Sequence, residues 1–161
     1  MTPAILLLLL VQAPKPFAYR GFAPGMSYSD FAARARAIAQ NDILTCQTMR
    51  TTAQVMDCAV RVRDPADSAP FYLSANVIEG RASVISFVDS GKVALVKRTQ
   101  SDMRRLLGAP QRRERSMWEW TKGRRFIRLN WRGAAVGTKI SITLNDRDVM
   151  DRIARYRPKS K

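Results

Sequence analysis

Histidine is absent from this chain of 161 residues, and acidic residues are scarce. Without histidine, the Ser-His and Cys-His pairs that activate nucleophiles cannot form, and most zinc sites lose a ligand. The glycine-containing segment 133–137 lacks the Lys and the Ser or Thr of a phosphate-binding P-loop. Carboxylates remain as acid–base groups, but Glu79 falls in a predicted turn and Glu119 on a basic strand face. We therefore expect a protein that is not an enzyme and holds no metal or cofactor.

Long hydrophobic runs are missing as well. The apolar run from Ala4 to Val11 has 8 residues, far fewer than the roughly 20 that a membrane-spanning helix needs. Small or apolar residues then occupy the positions that a signal peptidase reads, so we interpret residues 1–18 as an export signal. Cleavage after Ala13 or Ala18, or an uncleaved tether, fits the pattern, and a buried first strand or helix is the alternative. The interpretation predicts a periplasmic or secreted protein whose mature chain has no transmembrane span.

Cysteine occurs only twice, as Cys46 and Cys58, which are 12 residues apart. In an exported chain this pair predicts a disulfide that closes a small loop. In a reducing cytosol the same residues would be two buried thiols. Two thiolates without a histidine leave a zinc site short of ligands, so we expect no metal here.

Positive charge is abundant and concentrated in one half of the chain. Residues 92–161 hold 20 of the 28 Lys and Arg but only 6 of the 13 Asp and Glu, so they carry +14 of the net charge of +15. Such a basic half is typical of proteins that bind nucleic acid, anionic lipid or acidic glycan. A solvated surface in an organism with an arginine-rich proteome is the alternative.

The clearest structural pattern lies between Thr99 and Leu144. Thr99 and Asp102 have the spacing of a capping box, which predicts a short helix over 103–107 that ends at Gly108. Three strands with apolar residues at every second position should follow, joined first by a turn at Lys122-Gly123. Their apolar residues are Trp118 and Trp120, then Ile127, Leu129 and Trp131, then Ile140, Ile142 and Leu144.

The first half of the chain repeats this order of elements. Ser27 and Asp30 form a second capping box, which begins a helix that should end near residues 40–41. Strands are predicted at 56–62, 71–78 and 82–88, the last two forming a hairpin around Glu79-Gly80. A helix over 148–156 should close the chain.

These patterns predict an α+β fold of two tandem units, each a short helix packed on a three-stranded antiparallel sheet, plus a C-terminal helix. The predicted organisation is an export signal (1–18), a linker (19–25), a first unit (26–91) and a second, basic unit with the C-terminal helix (92–161).

Several short motifs together resemble a known superfamily. They are Gly25-Met26-Ser27 at the start of a helix, the Leu-Gly-x-Pro helix end at 107–110 and the Trp-x-Trp strand at 118–120. The combination is similar to the β-lactamase inhibitory proteins and to the small outer-membrane lipoprotein of the β-barrel assembly machinery. The resemblance implies tandem helix-plus-sheet units in an exported protein that acts by binding other proteins. It implies no lipid anchor, because the lipobox cysteine is absent.

Two binding hypotheses follow. In the first, the chain is a non-enzymatic protein of the bacterial cell envelope that docks another protein. In the second, its basic half binds an anionic polymer or surface, with lipid or glycan favoured over nucleic acid because of the export signal. Arg124, Arg128 and Arg132 fall in phase near one strand, so we predict that they form the anion-binding patch.

Overall fold

The computed structural model describes residues 15–39, 42–49, 54–64, 67–91, 93–134 and 137–154. The predicted apolar run of the export signal therefore lies outside the described residues. In chain order the elements are α1 (Tyr28–Ala39), β1 (Thr45–Thr48), β2 (Val55–Asp64), β3 (Asp67–Ile78), β4 (Arg81–Gly91), α2 (Val93–Leu107), β5 (Arg112–Glu114), β6 (Met117–Lys122), β7 (Arg125–Ala134), β8 (Gly137–Asp146) and α3 (Arg147–Ala154). Within these ranges, no helix has the length and apolar character needed to cross a membrane.

The strands of the described chain form one antiparallel sheet, in the order β1-β2-β3-β4-β8-β7-β6-β5. Each half of the chain contributes four neighbouring strands, and β4 pairs with β8 from Val84↔Asn145 to Gly91↔Thr138. The prediction of two units with separate three-stranded sheets is therefore wrong. The fold is still α+β, but its two halves share a single eight-stranded sheet.

Helix α1 is built as its sequence predicts. The Ser27 Oγ accepts a hydrogen bond from the Asp30 backbone N–H at 3.1 Å and donates one to the Asp30 carboxylate at 2.7 Å. This satisfies one of the free amides of the first helical turn. Phe31 and Ala35 are fully buried, and the helix ends at Ala39. The cap and the apolar face of this helix are confirmed, and its predicted end at residues 40–41 lies outside the described residues.

Helix α2 differs from its prediction at the N-terminal end, because it begins at Val93. Thr99 lies inside the helix, where its Oγ1 donates a hydrogen bond to the Leu95 carbonyl at 2.8 Å. Val96, Thr99 and Met103 are buried at spacings of three and four residues, as expected for one helical face. The Thr-x-x-Asp sequence is therefore not a cap, and the predicted five-residue helix is the last third of a longer one.

The C-terminal end of α2 is confirmed. Gly108 has φ 81°, and its N–H donates to the Arg104 carbonyl at 2.9 Å. Glycine adopts this left-handed conformation without steric cost. The carbonyl of Gly108 in turn accepts a hydrogen bond from the Trp120 indole N–H at 2.9 Å. This contact fixes the end of α2 to strand β6.

The hydrophobic core lies between the sheet and helices α1 and α2. Tyr19 and Phe22, in the segment predicted as a linker, are 7% and 0% exposed and pack edge-on against Phe87 with ring centroids 5.1 and 5.4 Å apart. That segment is thus part of the core. The three tryptophans on the apolar side of the predicted strands differ in burial: Trp120 is fully buried, whereas Trp118 and Trp131 are partly buried and pack against the core.

Helix α3 packs on the other face of the sheet. Val149 contacts Val55 and Ile78, whose register positions point away from α1 and α2. Asp146, with a side chain 3% exposed, begins this helix by accepting the Val149 N–H at 3.2 Å, and its other oxygen pairs with Arg125 at 2.8 Å. The predicted C-terminal helix is confirmed up to residue 154, and Tyr156 lies outside the described residues.

The predicted disulfide is confirmed. Cys46 and Cys58 are directly opposite each other in the β1–β2 register and are bonded to each other. Cys58 is fully buried, and the bond fastens the edge strand β1 to the sheet.

Removing this disulfide should destabilise the protein by about 3 kcal/mol, because the unfolded chain regains the freedom of a small loop. The test compares urea unfolding of the wild type with that of a variant carrying Cys46→Ala and Cys58→Ala. Dithiothreitol should lower the wild-type midpoint toward that of the variant and leave the variant unchanged. A loss below about 1 kcal/mol would show that the bond contributes little to stability.

Candidate binding face

Of the helices that the structure describes, only α3 packs on the face of the sheet opposite α1 and α2, at one end, and the side chains at the centre of this face are partly exposed. We call this face the open face. Eight strands spaced about 4.8 Å apart make it roughly 34 Å wide, and ten-residue strands make it roughly 30 Å long. A stable protein interface buries about 800 Å² on each partner. The open face is therefore large enough to supply one side of such an interface.

Small polar side chains occupy the centre of the open face. The register places Ser74 opposite Ser86, Ser86 opposite Thr143, and Thr143 opposite Arg128. The next row contains Ser141, which is opposite Val88 on β4 and Asn130 on β7. The side chains of this central area are partly exposed. They offer hydroxyl donors and acceptors to a partner and leave room for its side chains.

One exposed aromatic residue lies beside this polar centre. Tyr72 on β3 is 52% exposed, and the Arg61 guanidinium is stacked over its ring at 5.3 Å from the centroid. Tyr72 pairs with Val88, and Val88 pairs with Ser141, so the ring belongs to the same cross-strand row as the polar centre. Tyrosine and arginine are enriched at protein interfaces and in their energetic hot spots. The pair therefore has the composition of an interface anchor.

Arg128, the second residue of the predicted anion-binding patch, is paired with a carboxylate. Its Nε and Nη2 both donate to Glu119 Oε2, at 2.8 and 2.6 Å, and Glu119 is itself largely buried. The guanidinium also lies over the Phe126 ring at 5.1 Å. The pair of Arg128 and Glu119 leaves little net positive charge at this point of the sheet.

Arg124, which was predicted to lie in phase with Arg128 and Arg132, is in the turn that precedes their strand. Lys122 pairs with Arg125, so the turn between β6 and β7 consists of Gly123 and Arg124, one residue later than expected. The Arg124 guanidinium reaches helix α3, where it forms ion pairs with Asp148 at 2.5 Å and with Asp151. Arg124 therefore joins this turn to α3, and the structure does not bring it together with Arg132.

Arg132, the third residue of the predicted trio, lines a pocket on the open face. The pocket has a volume of about 400 Å³ and is lined by Ser116, Asn130, Trp131, Arg132, Lys139 and Ser141. Sequence alternation places Asn130, Arg132, Lys139 and Ser141 on one side of their strands. The contribution of Ser116 could not be predicted, because it depends on the backbone bond from the Trp131 N–H to the Ser116 carbonyl at 3.1 Å.

No group of three or more metal-ligating side chains occurs among the residues that the structure describes. No protein-family model matches the chain, and neither a curated protein nor a solved structure shows significant similarity to it.

Proposed function

We propose that this chain is a non-enzymatic binding protein of the bacterial cell envelope, periplasmic or secreted, which docks another protein through the open face. The observation that carries the proposal is the sheet face itself, which is wide, polar at its centre and, in the part of the chain that the structure describes, covered by a helix at one end only. The stacked Tyr72 and Arg61 supply an anchor beside this centre. The absence of histidine and the apolar run near the N-terminus support the non-enzymatic and exported character.

A module that binds an anionic polymer or surface is the alternative, and it draws less support from the open face. Polymers and membranes are bound by several neighbouring cations whose charges add over a strip of surface. Here Arg128 is neutralised by Glu119, and Arg124 by two carboxylates of α3. Two of the three residues of the predicted anion-binding patch are therefore compensated by carboxylates, and such a mixed surface suits a protein partner better than a uniformly charged one.

The proposal is tested by a crosslinking pull-down from native envelopes with three proteins. They are the wild type, a Ser86→Trp variant that places a bulky ring at the centre of the open face, and an Ala33→Trp variant with the same change on the exposed side of α1. We expect the wild type and Ala33→Trp to capture the same protein, and Ser86→Trp to lose most of it.

The salt dependence separates the two functions. A protein partner should be retained between about 0.05 and 0.2 M salt, whereas a polymer held by six or more phosphate contacts would lose at least a thousandfold in affinity. Loss of every captured species over this range, or equal capture by Ser86→Trp, would contradict the proposal.

A further inference from the structure

The pocket on the open face is formed by two neighbouring cross-strand pairs. Asn130 on β7 is opposite Ser141 on β8, and Arg132 is opposite Lys139 one step further along the same side of the strands. Opposed Cβ atoms in an antiparallel pair are about 4.5–5.5 Å apart, so the four side chains surround one small area. Ser116 closes the pocket from the turn between β5 and β6.

The side chains that line the pocket favour an anion over a cation. Each polar side chain in it can donate a hydrogen bond, and none is a carboxylate. Arg132 and Lys139 are both exposed, and no ion pair joins either to a carboxylate among the residues that the structure describes. Two like charges placed directly opposite each other destabilise a sheet. An anion seated between them would remove that repulsion and accept hydrogen bonds from both cations.

The surroundings decide which kind of anion fits. The neighbouring Arg128 is paired with Glu119, and Arg112 on β5 is paired with Glu114, so the pocket is a local positive site on a mixed surface. A flat anionic membrane would find charges that are already paired around the two cations, and these pairs would attract it little. A single acidic side chain projecting from a protein would meet the cations alone.

We infer that this pocket receives a carboxylate of the protein partner, from an Asp or Glu side chain. The inference rests on the proposed function and adds the chemistry of the partner to it. Arg132 and Lys139 supply the charge, and Asn130, Ser116 and Ser141 supply hydrogen bonds that orient the carboxylate. Charge-assisted hydrogen bonds of this type are about twice as strong as neutral ones.

The probe is the peptide acetyl-Gly-Glu-Glu-Gly-amide, titrated into the full chain and followed by NMR at the Asn130 side-chain amide and the Arg132 Nε. The Gln-for-Glu version of the peptide is the uncharged control. A pocket variant carries Arg132→Gln and Lys139→Gln, and a matched variant carries Arg81→Gln and Lys97→Gln, which removes the same charge from exposed residues elsewhere. Because the pocket variant loses a like-charge contact, its urea midpoint should not fall.

We expect saturable shifts with the Glu peptide only, weakened about tenfold or more in the pocket variant and less than twofold in the matched variant. Equal weakening in both variants would overturn the inference, since net charge alone would then explain binding. It would also be overturned if the Glu peptide gave no shifts. Pocket-dependent binding of inorganic phosphate or of phosphatidylglycerol vesicles without binding of the peptide would overturn it in favour of a phosphate ligand.

The pull-down distinguishes failure of this inference from failure of the proposed function. If the pocket variant captured the partner as well as the wild type, while Ser86→Trp did not, the open face would stand and the role of the pocket would be wrong. If Ser86→Trp captured the partner normally, the proposed function would fail, whatever the peptide did.

Discussion

Replacing Trp120 with alanine should lower the free energy of unfolding by about 3–5 kcal/mol, measured by urea denaturation. The side chain is fully buried, and its indole N–H donates to the Gly108 carbonyl at 2.9 Å. The substitution would therefore leave a large cavity between α2 and the sheet. It would also free the end of α2 from β6.

Two further variants separate these contributions. Trp120→Phe keeps an aromatic ring but loses the hydrogen bond, so we expect a smaller cost of about 1–3 kcal/mol. Trp118→Ala removes a ring of the same type that is only partly buried and should also cost less than Trp120→Ala. If Trp118→Ala and Trp120→Ala had equal effects, the assignment of Trp120 to the centre of this contact would be wrong.

Substitutions at the contact between β4 and β8 should lower the free energy of unfolding as much as substitutions in the core of either half. Ile85 and Leu144 are directly opposite each other across these strands, and both are fully buried. Each alanine substitution should cost about 2–5 kcal/mol. Because the two side chains share a contact, the double variant should deviate from additivity by about 0.5–3 kcal/mol.

Val60 provides the control for this cycle. It is buried on β2, which is separated from β4 by β3, so Val60→Ala and Ile85→Ala should add within about 0.5 kcal/mol. Additive effects for Ile85 and Leu144 as well would indicate that the two halves do not share a sheet.

The elements that the sequence predicts well are those with a buried face and a local boundary signal. The Ser27 cap, the Gly108 helix end and the Glu79-Gly80 turn each depend on one or two residues whose conformation is set by nearby backbone. Both residues of that turn have positive φ, 47° and 72°, as a tight hairpin turn of this type requires. Such signals do not need tertiary contacts to be recognised.

Strands β1 and β5 cannot be predicted from local sequence signals. Both are edge strands of four and three residues, and most of their side chains are exposed. With no face to bury, they have no alternating pattern, and only their neighbours β2 and β6 define them. The pairing of β4 with β8 is hidden for a related reason, because alternation marks which face of a strand is buried and not which strand lies beside it.

Some residues of the candidate site can be placed from the alternation of apolar and polar residues, and others cannot. Alternation correctly places Arg128 and Arg132 on the polar side of β7, and it places Glu119 where it can pair with Arg128. It cannot show that Arg124 falls in the turn and reaches α3, since that depends on a shift of one residue in the turn. Alternation also cannot show that Tyr72 lies on the same face as Arg128 and Arg132, because this requires knowing that β4 of the first half pairs with β8 of the second.

In the proposed function, the open face is the surface that binds another protein. The most direct measurement places a photo-crosslinkable amino acid at Ser86 in one protein and at Ala33 in another, and irradiates each in native envelopes. We expect the photo-crosslinker at position 86 to give a discrete crosslink to one protein, identified by mass spectrometry, and the photo-crosslinker at position 33 on α1 to give none. A crosslink to the same protein from Ala33 and none from Ser86 would contradict the proposal, because the partner would then lie on the helical side of the sheet.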